Sequence, residues 1–134
     1  MSTKILIIDD NEAILDATQR LLEYLGFEVN TSQDPDYING LDNELPDLIL
    51  LDILLVNADG REVCKNIKLN KNTKHIPVVM LSAQSEEEVR AAAASCGAQG
   101  HILKPYKIDT MISVIEKCLK YQKLDDMNMM KKTE

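Results

Sequence analysis

The sequence predicts an α/β fold: a doubly wound, five-stranded parallel sheet with (βα)5 connectivity. Two observations carry this expectation. Five short runs rich in Ile, Leu and Val recur along the chain, at Lys4–Ile8, Phe27–Thr31, Leu48–Leu51, Pro77–Leu81 and Gly100–Leu103. Unbroken apolar runs of that length suit strands buried on both faces. Between them lie segments whose apolar residues have helical spacing. Strand alternating with helix makes βα units, and right-handed crossovers then place helices on both faces of the sheet.

The elements follow in order. After the first run, Asn11 is a helix cap, and Ile14, Thr18, Leu21, Leu22 and Leu25 share one helical face up to a stop at Gly26. After the second run, Asp34-Pro35 reads as a cap with proline at the first helical position. Val63 and Ile67 mark the third helix. Ser85-Glu86-Glu87-Glu88 has the spacing of a capping box, and its acids suit the positive end of a helix dipole. That fourth helix has Val89 as its main large apolar residue, then Ala91–Ala94, and stops at Gly97. It buries little area and shifts at low cost, which suits a surface that is remodelled. Met111, Ile112, Ile115 and Leu119 mark the fifth helix, where Lys107 stands in place of a capping residue. Residues 1–120 read as one domain and 121–134 as a helix extension or tail.

Apolar residues make up 45% of the 134 and charged residues 28%, which suits a globular domain rather than a disordered chain. A net charge of −7 repels phosphate backbones and anionic lipid, so neither nucleic acid nor membrane is an expected partner. Cys64, Cys96 and Cys118 are odd in number and widely spaced, which argues against a disulfide framework or a zinc site and for a reducing cytoplasm. The N-terminus lacks the form of a signal peptide. No apolar stretch approaches the ~20 residues that span a bilayer.

Ligands of open α/β sheets bind beyond the carboxyl ends of the strands, where the strand order reverses. Asp9 and Asp10 follow the first strand, Asp52 the third, Ser82 and Ala83 the fourth, and Lys104 and Pro105 the fifth. Acids, a hydroxyl and a lysine form an inventory for a cation and a phosphoryl group. Three carboxylates at one edge repel each other, and an oxygen-only donor set with room for water suits Mg²⁺. With its charge shared, one carboxylate can attack phosphorus, while lysine, hydroxyl and backbone N–H groups stabilise the transferred oxygens. Asp52, set within apolar residues, is hardest to explain without a partner, since an unpaired charge there costs several kcal/mol.

These motifs resemble those of the receiver domains of two-component response regulators. The likeness spans Lys4 to Lys120 and rests on Ile8-Asp9-Asp10-Asn11, Leu50-Leu51-Asp52-Ile53, Met80-Leu81-Ser82-Ala83 and Leu103-Lys104-Pro105-Tyr106. The spacings match as well: 42 residues from Asp10 to Asp52, 30 from Asp52 to Ser82 and 22 from Ser82 to Lys104. The resemblance implies that Asp52 is the phosphoacceptor and that Asp9, Asp10, Asp52 and the backbone carbonyl of Leu54 hold Mg²⁺. It implies the flavodoxin-like strand order 2-1-3-4-5, contacts of Ser82 and Lys104 with the phosphoryl group, and a cis peptide bond before Pro105. Ser82 and His101 would be the switch residues. The phosphodonor would be a histidine kinase or a His-containing phosphotransfer protein, and the domain would catalyse only its own phosphorylation and dephosphorylation. Its output would be a protein contact or self-association through the face made by the fourth helix, fifth strand and fifth helix, with Lys117, Lys120 and Lys123 available to steer an acidic partner.

Two positions depart from the pattern. Val56 replaces the usual proline after the phosphoacceptor, while Asn57-Ala58-Asp59-Gly60 keeps the turn chemistry, so a looser loop but not a lost site is expected there. His101 replaces the usual tyrosine or phenylalanine, so the switch is expected to be weaker or pH-sensitive. The rivals are a flavodoxin-like binding module, which would want a Ser/Thr/Gly-rich first loop; an aspartate-based phosphatase, which would want an acid where Leu54 stands; and a pseudo-receiver, which should lack an acid or the lysine. No effector domain follows the fifth helix, so the chain is expected to be a stand-alone receiver or part of a longer protein.

Overall fold

The computed structural model describes residues 2–41 and 44–132, with 121–132 as backbone. The chain runs β1 (Lys4–Ile8), α1 (Glu12–Tyr24), β2 (Glu28–Ser32), a 3-10 turn (Tyr37–Gly40), β3 (Leu48–Asp52), a small hairpin of β4 (Leu54–Leu55) and β5 (Ala58–Asp59), α2 (Gly60–Leu69), β6 (Val78–Ser82), α3 (Glu86–Cys96), β7 (Gly100–Leu103) and α4 (Ile108–Lys132). The main sheet has the order β2-β1-β3-β6-β7 with every pair parallel. With the hairpin set aside, this is the expected 2-1-3-4-5 order. Among the described residues no helix is long and apolar enough to cross a membrane.

Side chains alternate across the central strands and build two cores. Leu6, Ile8, Ile49, Leu51, Val78 and Met80 pack with Cys64 and Ile67 of α2 and with Val89, Ala92, Ala93 and Cys96 of α3. Ile5, Ile7, Leu48, Leu50, Val79 and Leu81 pack with Leu15 and Leu22 of α1 and with Met111, Ile115 and Cys118 of α4. The α1 face is rotated slightly from the one expected: Leu15 is buried where Ile14 was expected, and Leu25 is exposed.

The caps act as the residues dictate. Asn11 Oδ1 accepts from Ile14 N, and Ser85 Oγ accepts from Glu88 N. Gly97 ends α3 at φ +83°, a conformation in which any Cβ would be strained. At α4 the carbonyl of Lys107 accepts the first helical bond from Met111 N. The side chain of Lys123 lies outside the described residues.

Two expectations are corrected. The second crossover is not the helix that Asp34-Pro35 suggested. Asp34 Oδ1 instead accepts from Asp36 N in a side-chain turn, and among the described residues of the crossover only the four-residue 3-10 turn follows. Asn39-Gly40 is a poor helix pair, and Ile38 is the turn's only buried residue, so little packing offsets the propensity. The loop after Asp52 is not loose either. It folds into the β4–β5 hairpin, tied down by Val56 N donating to Asp10 Oδ2 and by Gly60 N donating to Ile53 O.

Candidate functional site

Sheet register brings the acids together. Ile8 lies opposite Leu51, so the next residues, Asp9 and Asp52, emerge side by side where β1 and β3 diverge. On the other flank Asp52 lies opposite Leu81, and Ser82 lies opposite Leu103. Lys104 therefore follows β7 at the same edge, its N–H donating to Ser82 O at 2.8 Å. The Lys104-Pro105 bond is cis, as expected. Asp52 and Ser82 are the last residues of their strands rather than the first beyond them.

The Lys104 ammonium bridges the two buried acids, with Nζ 2.6 Å from Asp9 Oδ2 and 3.2 Å from Asp52 Oδ2. Asp9 Oδ1 accepts from Asn11 N, and Asp52 Oδ1 accepts from Leu54 N. Burial raises the Asp52 pKa above the ordinary aspartate value, and the neighbouring Asp9 charge adds to it; Lys104 and the Leu54 N–H oppose the rise. This pair of carboxylates is under-compensated by a single lysine.

The other expected residues are close in sequence order but differently engaged. Asp10 turns to the hairpin, where Val56 N holds its carboxylate. Ser82 is buried, and its hydroxyl accepts from Gln84 N rather than meeting Asp52 or Lys104. Leu54 offers its N–H to Asp52, and its side chain is exposed. His101 lies outside the cluster, its Nε2 2.9 Å from Glu86 Oε1. That contact, more than the Glu86–Arg90 pair, lowers the Glu86 pKa.

The donor set is oxygen only, and its buried acids lack a full complement of positive charge. Among the described residues no three acidic, His or Cys side chains converge as a ready-made cage. Asp9 and Asp52 fit a hard divalent ion by chemistry and proximity, whereas the Asp10 carboxylate is turned to Val56 N.

Three contributors go beyond the sequence expectation, which took Asp59-Gly60 as turn chemistry alone and left out Gln84. Gly60 starts α2 where a Cβ would fall 2.7 Å from Ile53 Cα, 3.0 Å from the Asp52 carbonyl carbon, and closer still to the Asp52 carbonyl oxygen. Asp59 caps α2 by accepting from Arg61 N. Gln84 occupies the Ser82 hydroxyl. The Asp59-Gly60 pair carried a readable signal, an acid and a glycine at a helix start, but the close backbone approach is a tertiary fact.

A family model described as the response regulator receiver domain matches residues 5–116. The phosphate regulon transcriptional regulatory protein PhoB of Escherichia coli strain K12 is 36% identical over 117 residues, which cover 87% of this chain and 51% of PhoB. The alkaline phosphatase synthesis transcriptional regulatory protein PhoP of Bacillus subtilis strain 168 is 37% identical over 107 residues, covering 79% of this chain and 44% of PhoP. The chain thus spans about half the length of these relatives. Among solved structures, a CheY-like response regulator receiver domain protein from Methanospirillum hungatei JF-1 superposes with a TM-score of 0.82 at 28% identity, covering 93% of this chain and 99% of that one.

Proposed function

The chain belongs to the response regulator receiver family, and from that premise we propose that it accepts a phosphoryl group on Asp52 from a histidine kinase or a His-containing phosphotransfer protein. The observation that carries the reading is the Lys104 ammonium spanning two buried carboxylates that it does not fully compensate. In the proposed step an Asp52 carboxylate oxygen attacks phosphorus. The phosphorus–nitrogen bond of the donor histidine breaks, its electron pair stays on the imidazole nitrogen, and an acyl phosphate forms on Asp52. Lys104 then pairs with a phosphoryl oxygen, and the Ser82 hydroxyl leaves Gln84 N to meet another.

Mg²⁺ held by Asp9, Asp10, Asp52 and the Leu54 carbonyl would supply charge neutralisation at the phosphoryl oxygens. The rest belongs to the chain. Ser82 Oγ accepts from Gln84 N, next to the Ser85 cap, and we propose that loss of that bond shifts the start of α3 and with it the Glu86–His101 contact. The output we propose is a population shift on the α3–β7–α4 face, read by a downstream protein or a second copy. Ser82 and His101 are its proposed switch residues. The reading places the domain, residues 1–120 with a 121–134 extension, in the cytoplasm, catalysing only its own phosphorylation and dephosphorylation and binding no nucleic acid itself.

A Mg²⁺ titration followed by amide NMR tests the donor set. Asp9→Asn and Asp52→Asn should each weaken the ion by tenfold or more, on the order of one lost charged ligand. Affinity equal to that of the unmodified protein in both variants would sink the assignment.

A further inference from the structure

His101 lies in β7, opposite Met80 of β6. Its ring reaches the first residue of α3, with Nε2 2.9 Å from Glu86 Oε1. Among the described residues this is the only side-chain hydrogen bond between α3 and β7. The contact joins two segments on which a phosphoryl group at Asp52 would pull. Glu86 is four residues after Ser82, whose hydroxyl accepts from Gln84 N. His101 is three residues before Lys104, whose ammonium lies on Asp9 and Asp52.

Histidine is the side chain whose charge ordinarily changes between pH 5 and 8, so the charges around the ring decide what a proton does there. From α3 it faces Glu86, whose Oε1 also takes Arg90 at 3.1 Å. The bond to His101, more than that to Arg90, holds the Glu86 pKa below the usual glutamate value. Lys107, ahead of α4, and Lys117 and Cys118 of α4 line the clefts that flank the ring. Lys104, beyond β7, is turned away to the buried acids. Glu86 is thus the anion among these groups, and a proton on the ring strengthens that contact while the two α4-side lysines oppose the charge.

We propose that Glu86 is a positioning residue of the resting state: it ties the start of α3 to a protonated His101, so acid opposes the shift of the α3–β7–α4 face that phosphorylation drives. The proposal rests on Asp52 being the phosphoacceptor and on that face being the output. A ligand that binds one state better draws the population toward it, and here the ligand is a proton. The two side chains are 25% and 48% exposed, so the effect is that of a surface ion pair, a few-fold in the equilibrium.

The test measures apparent beryllofluoride affinity, with Mg²⁺, near pH 6 and near pH 8 for the full chain, for Glu86→Gln and for His101→Gln. The fluoride complex and the Asp52 site have a pH dependence that all three proteins share, so the quantity read is the loss of affinity between the two pH values in each. The unmodified protein should lose about threefold more than either variant, on the order of one part-exposed ion pair. Near pH 6 the His101 imidazole resonances of the unmodified protein should move on addition, as the ring leaves Glu86. Amide spectra taken beforehand check folding, and the two variants remove the pair from opposite sides, so either one alone decides. Equal losses in unmodified protein and variants, a smaller loss in the unmodified protein, or unmoved imidazole resonances would each overturn the proposal. If the unmodified protein takes up no beryllofluoride at either pH, the Asp52 reading fails, and the proposal falls with it.

Discussion

Lys104→Ala is expected to destabilise the domain by about 3 kcal/mol at neutral pH, the low end for breaking a buried ion pair, because one carboxyl can take up a proton. Asp9 and Asp52 would lose the cation 2.6 Å and 3.2 Å away. The pH dependence follows from the Asp52 shift, which is upward and would rise further without the lysine. A carboxyl whose folded pKa is raised contributes stability below its unfolded pKa and loses it as pH rises through the folded value. The deficit of the variant should therefore be greatest at neutral pH and shrink in acid. Mg²⁺ affinity should be unchanged or higher, since a competing cation is removed, while phosphorylation or its conformational consequence weakens. Denaturant melts across pH check the first part, and a large loss of Mg²⁺ affinity would contradict the assigned roles.

Gly60→Ala should have a comparable effect by a different route. At the first position of α2, alanine improves helix propensity by up to ~1 kcal/mol. The new Cβ, however, would meet the backbone of Ile53 and Asp52 at 3.0 Å or less, and backbone cannot yield as a side-chain tip does. Relief requires moving the Gly60 N–Ile53 O bond and with it the Leu54 N–H that holds Asp52 Oδ1. We expect a net loss of about 2 kcal/mol, as for overpacking, and a fall in phosphorylation rate that could reach ~10²-fold if the carboxylate moves by about 1 Å. Stability and phosphorylation both at the level of the unmodified protein would show that the hairpin absorbs the methyl group.

The parallel sheet was legible because β1, β3 and β6 are buried on both faces and so appear as unbroken apolar runs. The candidate site was legible because Asp52 and Ser82 end β3 and β6 while Asp9 and Lys104 directly follow β1 and β7, and register alone carries them to one edge. What the sequence hid depends on contacts between distant segments. Asp34-Pro35 looked like a helix start because local cap chemistry says nothing about how little apolar surface follows it. Val56 looked like a loosened loop because its N–H meets an acid 46 positions away in the chain. The engagement of Ser82 with Gln84, and of His101 with Glu86, is likewise a matter of which rotamer the packed edge admits.

The most direct test of the account is the mass of the intact chain after incubation with acetyl phosphate and Mg²⁺, beside Asp52→Asn. One added phosphoryl group is expected, stable in acid and released by base or hydroxylamine, and none on the variant. Added phosphoryl that persists on Asp52→Asn would contradict it.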